Sequence, residues 1–334
     1  MIARRLNRFW VRADRYWFGP TVAWPLALFR ILFGVTLLGY FTERLSGMDE
    51  FLGASAARIP PLGVPPESPL VAHQPVYLPP LGPLAQLLVV VVFFVSCAAL
   101  IVGYRARFAA SLLAVWVMGV TFADWMGAFA ENRSAPLVLL VLALAPAARV
   151  WSVDSWRSRR RADVPGADPS REVLISAWSV RTLQWFLLLW YLSSAFLKLN
   201  GGWSLFGSSD VVWSQLQGWY TNDLGWWALH HLPKWFFGAG EVLTIYFEAF
   251  APLWLIPRRV RPFGLFFGFV LHAMLALFMS NLWTLSLEMT SFYALFLPLG
   301  ARTLETAPSA AEDSPLERVA EGKKTESVGG TVLP

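Results

Sequence analysis

Apolar residues along this chain are gathered into eight long runs separated by polar segments. The runs occupy residues 21–41, 83–102, 108–129, 135–151, 175–197, 235–256, 263–278 and 283–299. A helix needs about 20 apolar residues to cross a bilayer, and several runs are shorter, so seven or nine spans stay possible. The pattern predicts an all-α fold, a polytopic transmembrane helical bundle of about eight spans.

Arginine residues mark alternate ends of these predicted spans. Arginine clusters follow the second, fourth and sixth runs, within residues 105–107, 157–161 and 258–261. Few Lys or Arg residues occur, for their length, in segments 42–82, 130–134, 200–234 and 279–282. Because positive residues favour the cytoplasmic side, this alternation predicts a multi-pass protein of the plasma (inner) membrane with both termini in the cytoplasm.

The regions outside the predicted spans differ in character. Residues 1–18 carry five Arg among aromatic and aliphatic residues, which predicts a basic amphipathic helix lying on the membrane surface. The transmembrane domain is predicted over residues 19–300. Residues 301–334 mix small and charged residues without a period, which predicts a disordered cytoplasmic tail. Residues 200–234 are dense in Trp, so this outer segment is predicted to lie in the interface or to fold back over the bundle.

Composition supports a membrane protein and excludes several functional classes. The chain is 56% apolar and 15% charged, whereas soluble domains contain about 25% charged residues. The net charge of +5 comes with Arg clusters between apolar runs and without an extended basic face, so the expected partner is the lipid bilayer and not nucleic acid. The lone Cys97 excludes an intrachain disulfide. The sequence contains no metal-binding motif, nucleophile elbow or P-loop.

Ionisable residues inside the apolar runs are the candidate functional residues, because a charge at membrane depth costs about 2.5–3.5 kcal/mol and needs a partner or a task. They are Arg30, Asp124, Arg181, Lys198, Glu241, Glu248, His272 and Glu288. Gln184, Tyr191 and Lys198 recur every seven residues, which places them on one helix face. Glu241 and Glu248 have the same spacing. A polar stripe on a membrane helix must face the bundle interior, so we expect a polar cavity opening toward the outer side.

Two interpretations of these charges remain open. Glu241 or Glu248 could pair with Arg30 or Lys198 and simply tie helices together. Alternatively, Lys198 could be a functional group. An apolar cavity would favour its neutral form and allow it to act as a base, whereas a nearby carboxylate would keep it cationic.

A combination of short motifs resembles a known family. The motifs are Trp-Ser-Val-Asp at 151–154, Gln184, the segment from Tyr191 through Lys198 to Trp203, Glu248 with Pro252, and His272. Together they resemble the vitamin K-dependent γ-glutamyl carboxylase family and, more broadly, the horizontally transferred transmembrane (HTTM) domain, over about residues 20–300. Residues 131–134 depart from the animal carboxylase, which has a His in that segment.

The resemblance implies an enzyme that uses a reduced quinone, vitamin K in the animal carboxylase, with oxygen and carbon dioxide. It implies that Lys198 is the base that starts quinol oxidation, that His272 stabilises an oxyanion or the quinol, and that Glu248 orients the site. The cofactor-binding candidates are Gln184, Tyr191, Trp203 and Glu241. A secreted peptide or a lipid at the outer face would be the substrate, and no metal is expected.

Other functions are compatible with the same sequence. A non-catalytic membrane protein could bind a secreted peptide or a second membrane protein through residues 200–234, and act as a maturation partner. A transporter is less favoured, because no internal repeat or clearly broken helix is evident. The sequence favours an enzyme over these alternatives and leaves the oligomeric state open.

Overall fold

The computed structural model describes residues 2–53, 80–123, 130–162, 173–207, 210–218 and 220–297. Three of the features predicted from the sequence lie outside the described residues, wholly or for the most part. They are the tail at 301–334, most of the outer segment 42–82, and Asp124.

Helices account for most of the described chain, as the apolar runs predict. The first are α1 (Ile2–Phe18), α2 (Trp24–Leu45), α3 (Asp49–Leu52), α4 (Pro83–Val102) and α5 (Ala106–Ala123). The central ones are α6 (Ala130–Leu144), α7 (Val153–Ala162) and α8 (Trp178–Asn200). The last are α9 (Val211–Leu216), α10 (Asp223–His231), α11 (Lys234–Ala249), α12 (Ala251–Leu255), α13 (Arg261–Phe278) and α14 (Trp283–Tyr293), which continues into a 3₁₀ turn, Ala294–Phe296.

Each of the eight apolar runs overlaps a helix. Among the described residues, α2, α4 and α13 are long and apolar enough to cross a membrane. The total of eight spans stays a prediction, because the other apolar helices fall short of that length or hydropathy. The sixth run is divided into α11 and α12 at Phe250, since Pro252 at the start of α12 has no backbone N–H to continue the helix.

A two-stranded antiparallel sheet corrects the purely α-helical prediction. Strand β1 (Pro20–Val22) pairs with β2 (Leu174–Ser176), with Thr21 opposite Ile175. Both strands include positions predicted to begin spans. The β-branched residues Thr21 and Ile175 favour the extended conformation, and Pro25 in the first turn of α2 favours a helix that starts only there.

The N-terminal helix α1 is present at the predicted position and contacts α8. The Trp185 indole N–H donates to the Tyr16 hydroxyl at 2.9 Å, and the Arg181 guanidinium lies 4.6 Å from the Tyr16 ring centroid. Phe9 and Trp10 are largely exposed, at 62% and 66%. These side chains are available to a lipid surface, and the interfacial position of α1 stays a prediction.

The Trp-dense segment between α8 and α11 folds back onto the bundle. Helices α9 and α10 pack against α11 and α13 through a small apolar cluster that includes Leu216, Leu229, Phe237 and Met279. The Asn222 side chain donates to the carbonyl of Leu277 at 2.9 Å. One of the two arrangements predicted for this Trp-dense segment is therefore observed.

A buried arginine joins three helix ends on the side of the Arg clusters. The Arg30 guanidinium is fully buried and donates to the carbonyls of Leu100, at 3.0 Å, and Trp151, at 2.7 Å. Asp154 accepts from the backbone N–H groups of Arg105 and Ala106 at 3.1 and 3.4 Å. We call this arrangement, from Arg30 to Asp154, the Arg30 joint.

Candidate functional site

Lys198 and Glu248 form a close ion pair between α8 and α11. The Lys198 ammonium donates to both Glu248 carboxylate oxygens, at 2.5 and 2.6 Å, and to the Ser194 hydroxyl at 2.7 Å. The Glu248 side chain is 8% exposed and that of Lys198 is 22% exposed. Three acceptors surround an ammonium with three hydrogens, so this cation is fully hydrogen-bonded by side chains.

The local sequence explains how this pair forms. Ser194 and Lys198 are one turn apart on α8, which places both on the same face. Lys198 lies in the last turn of α8, where a cation interacts favourably with the helix dipole. Glu248 is near the end of α11, and α8 and α11 are packed together. The pair is therefore part of a helix–helix contact and is not carried by loops.

Trp203 covers the ammonium group of Lys198. Its ring centroid lies 5.4 Å from the Lys198 nitrogen, and its backbone N–H donates to the Lys198 carbonyl at 3.1 Å. A cation at this distance from an indole face is stabilised by the ring quadrupole. The turn after α8 thus places Trp203 back against Lys198.

A second hydrogen-bonded group lies two turns earlier on α8. The Tyr191 hydroxyl is hydrogen-bonded to His272 Nε2 at 2.8 Å and to the Tyr293 hydroxyl at 2.7 Å. Tyr191 and His272 are 1% and 4% exposed, so this network is closed to water. Gly268 makes it possible, because a Cβ there would collide with the Tyr293 hydroxyl.

The network and the ion pair share their helices. Seven residues of α8 separate Tyr191 from Lys198, which corresponds to roughly 10 Å along the helix axis. Phe247 precedes Glu248 on α11 and packs edge-on against the Tyr191 ring, with centroids 5.5 Å apart. The structure thus gathers Lys198, Glu248 and Trp203 into one group and Tyr191 with His272 into a neighbouring one.

Two of the predicted residues lie elsewhere. Gln184 donates to the Leu295 carbonyl at 2.8 Å and accepts from Arg181 at 2.9 Å, near the beginning of α8. Glu241 is fully buried and accepts from the backbone N–H of Val212 at 2.8 Å, where it caps the start of α9. Gln184 thus connects α8 to the turn after α14, and Glu241 connects α11 to α9. Neither residue contacts Lys198 or His272 through these hydrogen bonds.

A buried polar cluster at the beginnings of α6 and α14 was not predicted as a site. The Ser134 hydroxyl donates to Glu288 at 2.7 Å, and the Thr284 hydroxyl donates to Glu131 at 2.9 Å. Asn132 accepts a hydrogen bond from the Tyr40 hydroxyl. The sequence signal was a Ser or Thr close to each buried Glu, but only the packing of α6 against α14 pairs them across helices.

Tyr293 is a further residue that the sequence did not single out. It occupies an apolar run with no charged neighbour, so nothing in the pattern distinguishes it from an aromatic residue of the core. Its position is set by the contact between α13 and α14.

Two cavities lie apart from these groups. One of about 1080 Å³ is located where α5 begins and α6 ends, and one of about 180 Å³ is lined by Asp210, Lys234 and Glu241. Neither is lined by Lys198, Glu248 or His272. Glu241 lines the smaller cavity, and the polar cavity expected beside Lys198 stays a prediction. In the described ranges, no group of three or more His, Cys, Asp or Glu side chains could hold a metal ion.

Comparison with known proteins assigns the family. The HTTM domain matches residues 74–297, which is more than half of the chain and includes Lys198, Trp203, Glu248 and His272. Comparisons with curated proteins and with solved structures find no match. The chain is therefore a membrane protein that belongs to the HTTM domain family, which is related to the carboxylases.

Proposed function

We propose that this protein is a membrane enzyme that uses a reduced quinone or another lipid-soluble reductant to modify a peptide or lipid at the outer face. Lys198 is the base in this proposal, and Glu248 holds and orients it. The observation that carries the proposal is the close pairing of Lys198 with Glu248 inside the helix bundle, at 2.5 and 2.6 Å. The family membership supports the same reaction class.

The ion pair has the chemistry that a base needs. A lysine can take a proton from a substrate only after its own proton has moved to another group. Glu248 offers an acceptor within hydrogen-bond distance, and a low-dielectric environment reduces the preference for the charge-separated state of such a pair. Ser194 keeps the Lys198 nitrogen in place through either state, because a hydroxyl can donate or accept.

The surroundings of Lys198 suit a flat, lipid-soluble molecule. Trp203 provides an aromatic face next to the ammonium group. Phe196 and Leu197, on the same turn of α8, are 67% and 68% exposed and provide an apolar approach from the bilayer. A reduced quinone would supply a hydroxyl group whose proton Lys198 could accept. Trp203 and Lys198 are the residues that would hold it.

The hydrogen-bonded network of Tyr191, His272 and Tyr293 lies next to the proposed base on α8. The Tyr191 hydroxyl has one hydrogen, so Tyr191 donates to at most one of its two partners, His272 and Tyr293. This arrangement fixes the His272 ring beside α8, where His272 could stabilise the quinol or an oxyanion in the proposed reaction.

The substitution Lys198→Arg tests the proposed base with little disturbance of the fold. Arginine keeps a cation next to Glu248 but is not deprotonated in proteins, so it cannot act as a base. We expect oxygen-dependent consumption of reduced menaquinone by the full chain in nanodiscs to fall at least 100-fold, the usual contribution of a general base. Chromatographic quantification of the quinone measures this rate. Lys234→Arg, at an exposed lysine paired with Asp210, is the matched control.

Two results would contradict the proposal. If Lys198→Arg consumes the quinol at the wild-type rate, Lys198 is not the base. If neither Lys198→Arg nor Glu248→Gln alters biological activity, while deletion of α10 abolishes it, the protein acts as a binding partner through the segment 200–234.

A further inference from the structure

One large cavity among the described residues is strongly basic. Four arginines line it: Arg105 and Arg107 at the beginning of α5, Arg149 after α6, and Arg159 on α7. Its volume is about 1080 Å³, which is large enough for the head group and upper chains of a phospholipid. The four arginine residues are all exposed, so an anionic ligand could reach their guanidinium groups.

The one acidic residue of the lining does little to offset this charge. Both carboxylate oxygens of Asp154 accept backbone N–H groups, from Arg105 and Ala106, at the start of α5. The carboxylate is therefore already hydrogen-bonded to the start of α5, and four arginines outnumber it in the lining. Guanidinium groups match the geometry of phosphate oxygens with two parallel hydrogen bonds, so a phosphate is the anion that this lining would prefer.

The cavity also has an apolar side. Leu142, Ala145 and Pro146 form part of its lining, and Phe108 on α5 is 67% exposed at its edge. Trp151, which is 53% exposed, is also part of the lining. Phosphate-binding and apolar surfaces in one cavity at the end of membrane helices fit an amphipathic ligand better than a soluble anion.

We propose that this cavity binds the phosphate head group of an anionic phospholipid, with the acyl chains running along α5 past Phe108. The cavity is separate from the Lys198–Glu248 pair. Helix α8 starts five residues after Val173, which lines the cavity, and Lys198 is about 30 Å further along that helix. The lipid site is therefore independent of the proposed reaction, and its position on the arginine-rich side matches the side where anionic lipids attract basic residues.

Binding of phosphatidylglycerol to the full chain in detergent, measured by native mass spectrometry, tests this site. Phosphatidylcholine is the zwitterionic comparison, and glycerol phosphate is the soluble one. The test variant is Arg149→Gln with Arg159→Gln. The control is Arg258→Gln with Arg259→Gln, which removes the same charge from exposed residues on the same predicted side, outside the cavity. We expect roughly a 30-fold loss of phosphatidylglycerol affinity in the test variant, because each basic side chain contributes a factor of about five.

Each outcome decides the proposal. A selective loss in the test variant, with the control variant and the phosphatidylcholine signal unchanged, supports a head-group site in this cavity. Equal losses in both double variants would show a general effect of charge and overturn it. Displacement of phosphatidylglycerol by glycerol phosphate at equal concentration would also overturn it, because the ligand would then be a soluble phosphate.

Discussion

The Arg30 joint and the Lys198–Glu248 pair each contain a basic side chain packed among apolar helices. The hydrogen-bond partners of Arg30 and Lys198 differ. Arg30 is fully buried and donates to two backbone carbonyls, those of Leu100 and Trp151. Lys198 is partly exposed and donates to a carboxylate and a hydroxyl. A carbonyl oxygen cannot take up a proton near neutral pH, whereas a carboxylate can, so only the second arrangement suits acid–base chemistry.

This difference separates residues that hold the fold from residues that could react. The segment Trp-Ser-Val-Asp, one of the motifs that together carry the family resemblance, belongs to the Arg30 joint. There, Trp151 provides a carbonyl, and Asp154 caps the start of α5. A motif of the family resemblance therefore lies outside the site that we propose. Three predictions test whether the two arrangements differ as their partners indicate.

The largest effect on stability is expected at the joint. Arg30→Met removes two hydrogen bonds from a charged donor, and each contributes about 1.5–3 kcal/mol, so we expect a total loss of about 3 kcal/mol or more. Thermal unfolding of the detergent-purified chain, followed by intrinsic fluorescence, measures this change. Arg258→Met at an exposed arginine is the control. An unchanged midpoint for Arg30→Met would contradict a structural role for the joint.

The effects of substituting Lys198 and Glu248 on the free energy of unfolding should depend on each other. Lys198→Met leaves the buried Glu248 carboxylate unpaired and should cost about 2 kcal/mol, less than the ~3–5 kcal/mol of a fully buried pair because Lys198 is partly exposed. Adding Glu248→Leu removes the unpaired charge, so the double variant should regain most of this stability. A cycle of four unfolding measurements gives the coupling free energy. Purely additive effects would mean that the two side chains do not depend on each other.

The smallest effect is expected at the cap of α5. Asp154→Ala removes the acceptor for two backbone N–H groups and should lower the free energy of unfolding by about 1 kcal/mol. Asp154→Asn keeps an acceptor oxygen and should cost only a few tenths of that. Thermal unfolding of both variants checks the order. Equal losses would indicate that the charge of Asp154 matters and that its cap does not.

The candidate site could be predicted in part, because seven-residue spacing places side chains on one helix face. This rule identified Tyr191 and Lys198 on α8. Their partners lie 50 to 102 residues further along the chain, on α11, α13 and α14. Helical periodicity carries no information about which helix packs against that face, so the pairing of Lys198 with Glu248 was one of several open choices.

By itself, the sequence determined that this is a helical membrane protein, where its apolar helices lie, and which residues are unusual within them. Those properties follow from hydrophobicity and period, which are local. Only the tertiary structure decided that Glu241 caps α9, that Gln184 binds the Leu295 carbonyl, and that Lys198 and Glu248 meet. It also brought strands β1 and β2 together across about 150 residues, because a hydrogen bond between distant segments depends on how the helices between them pack.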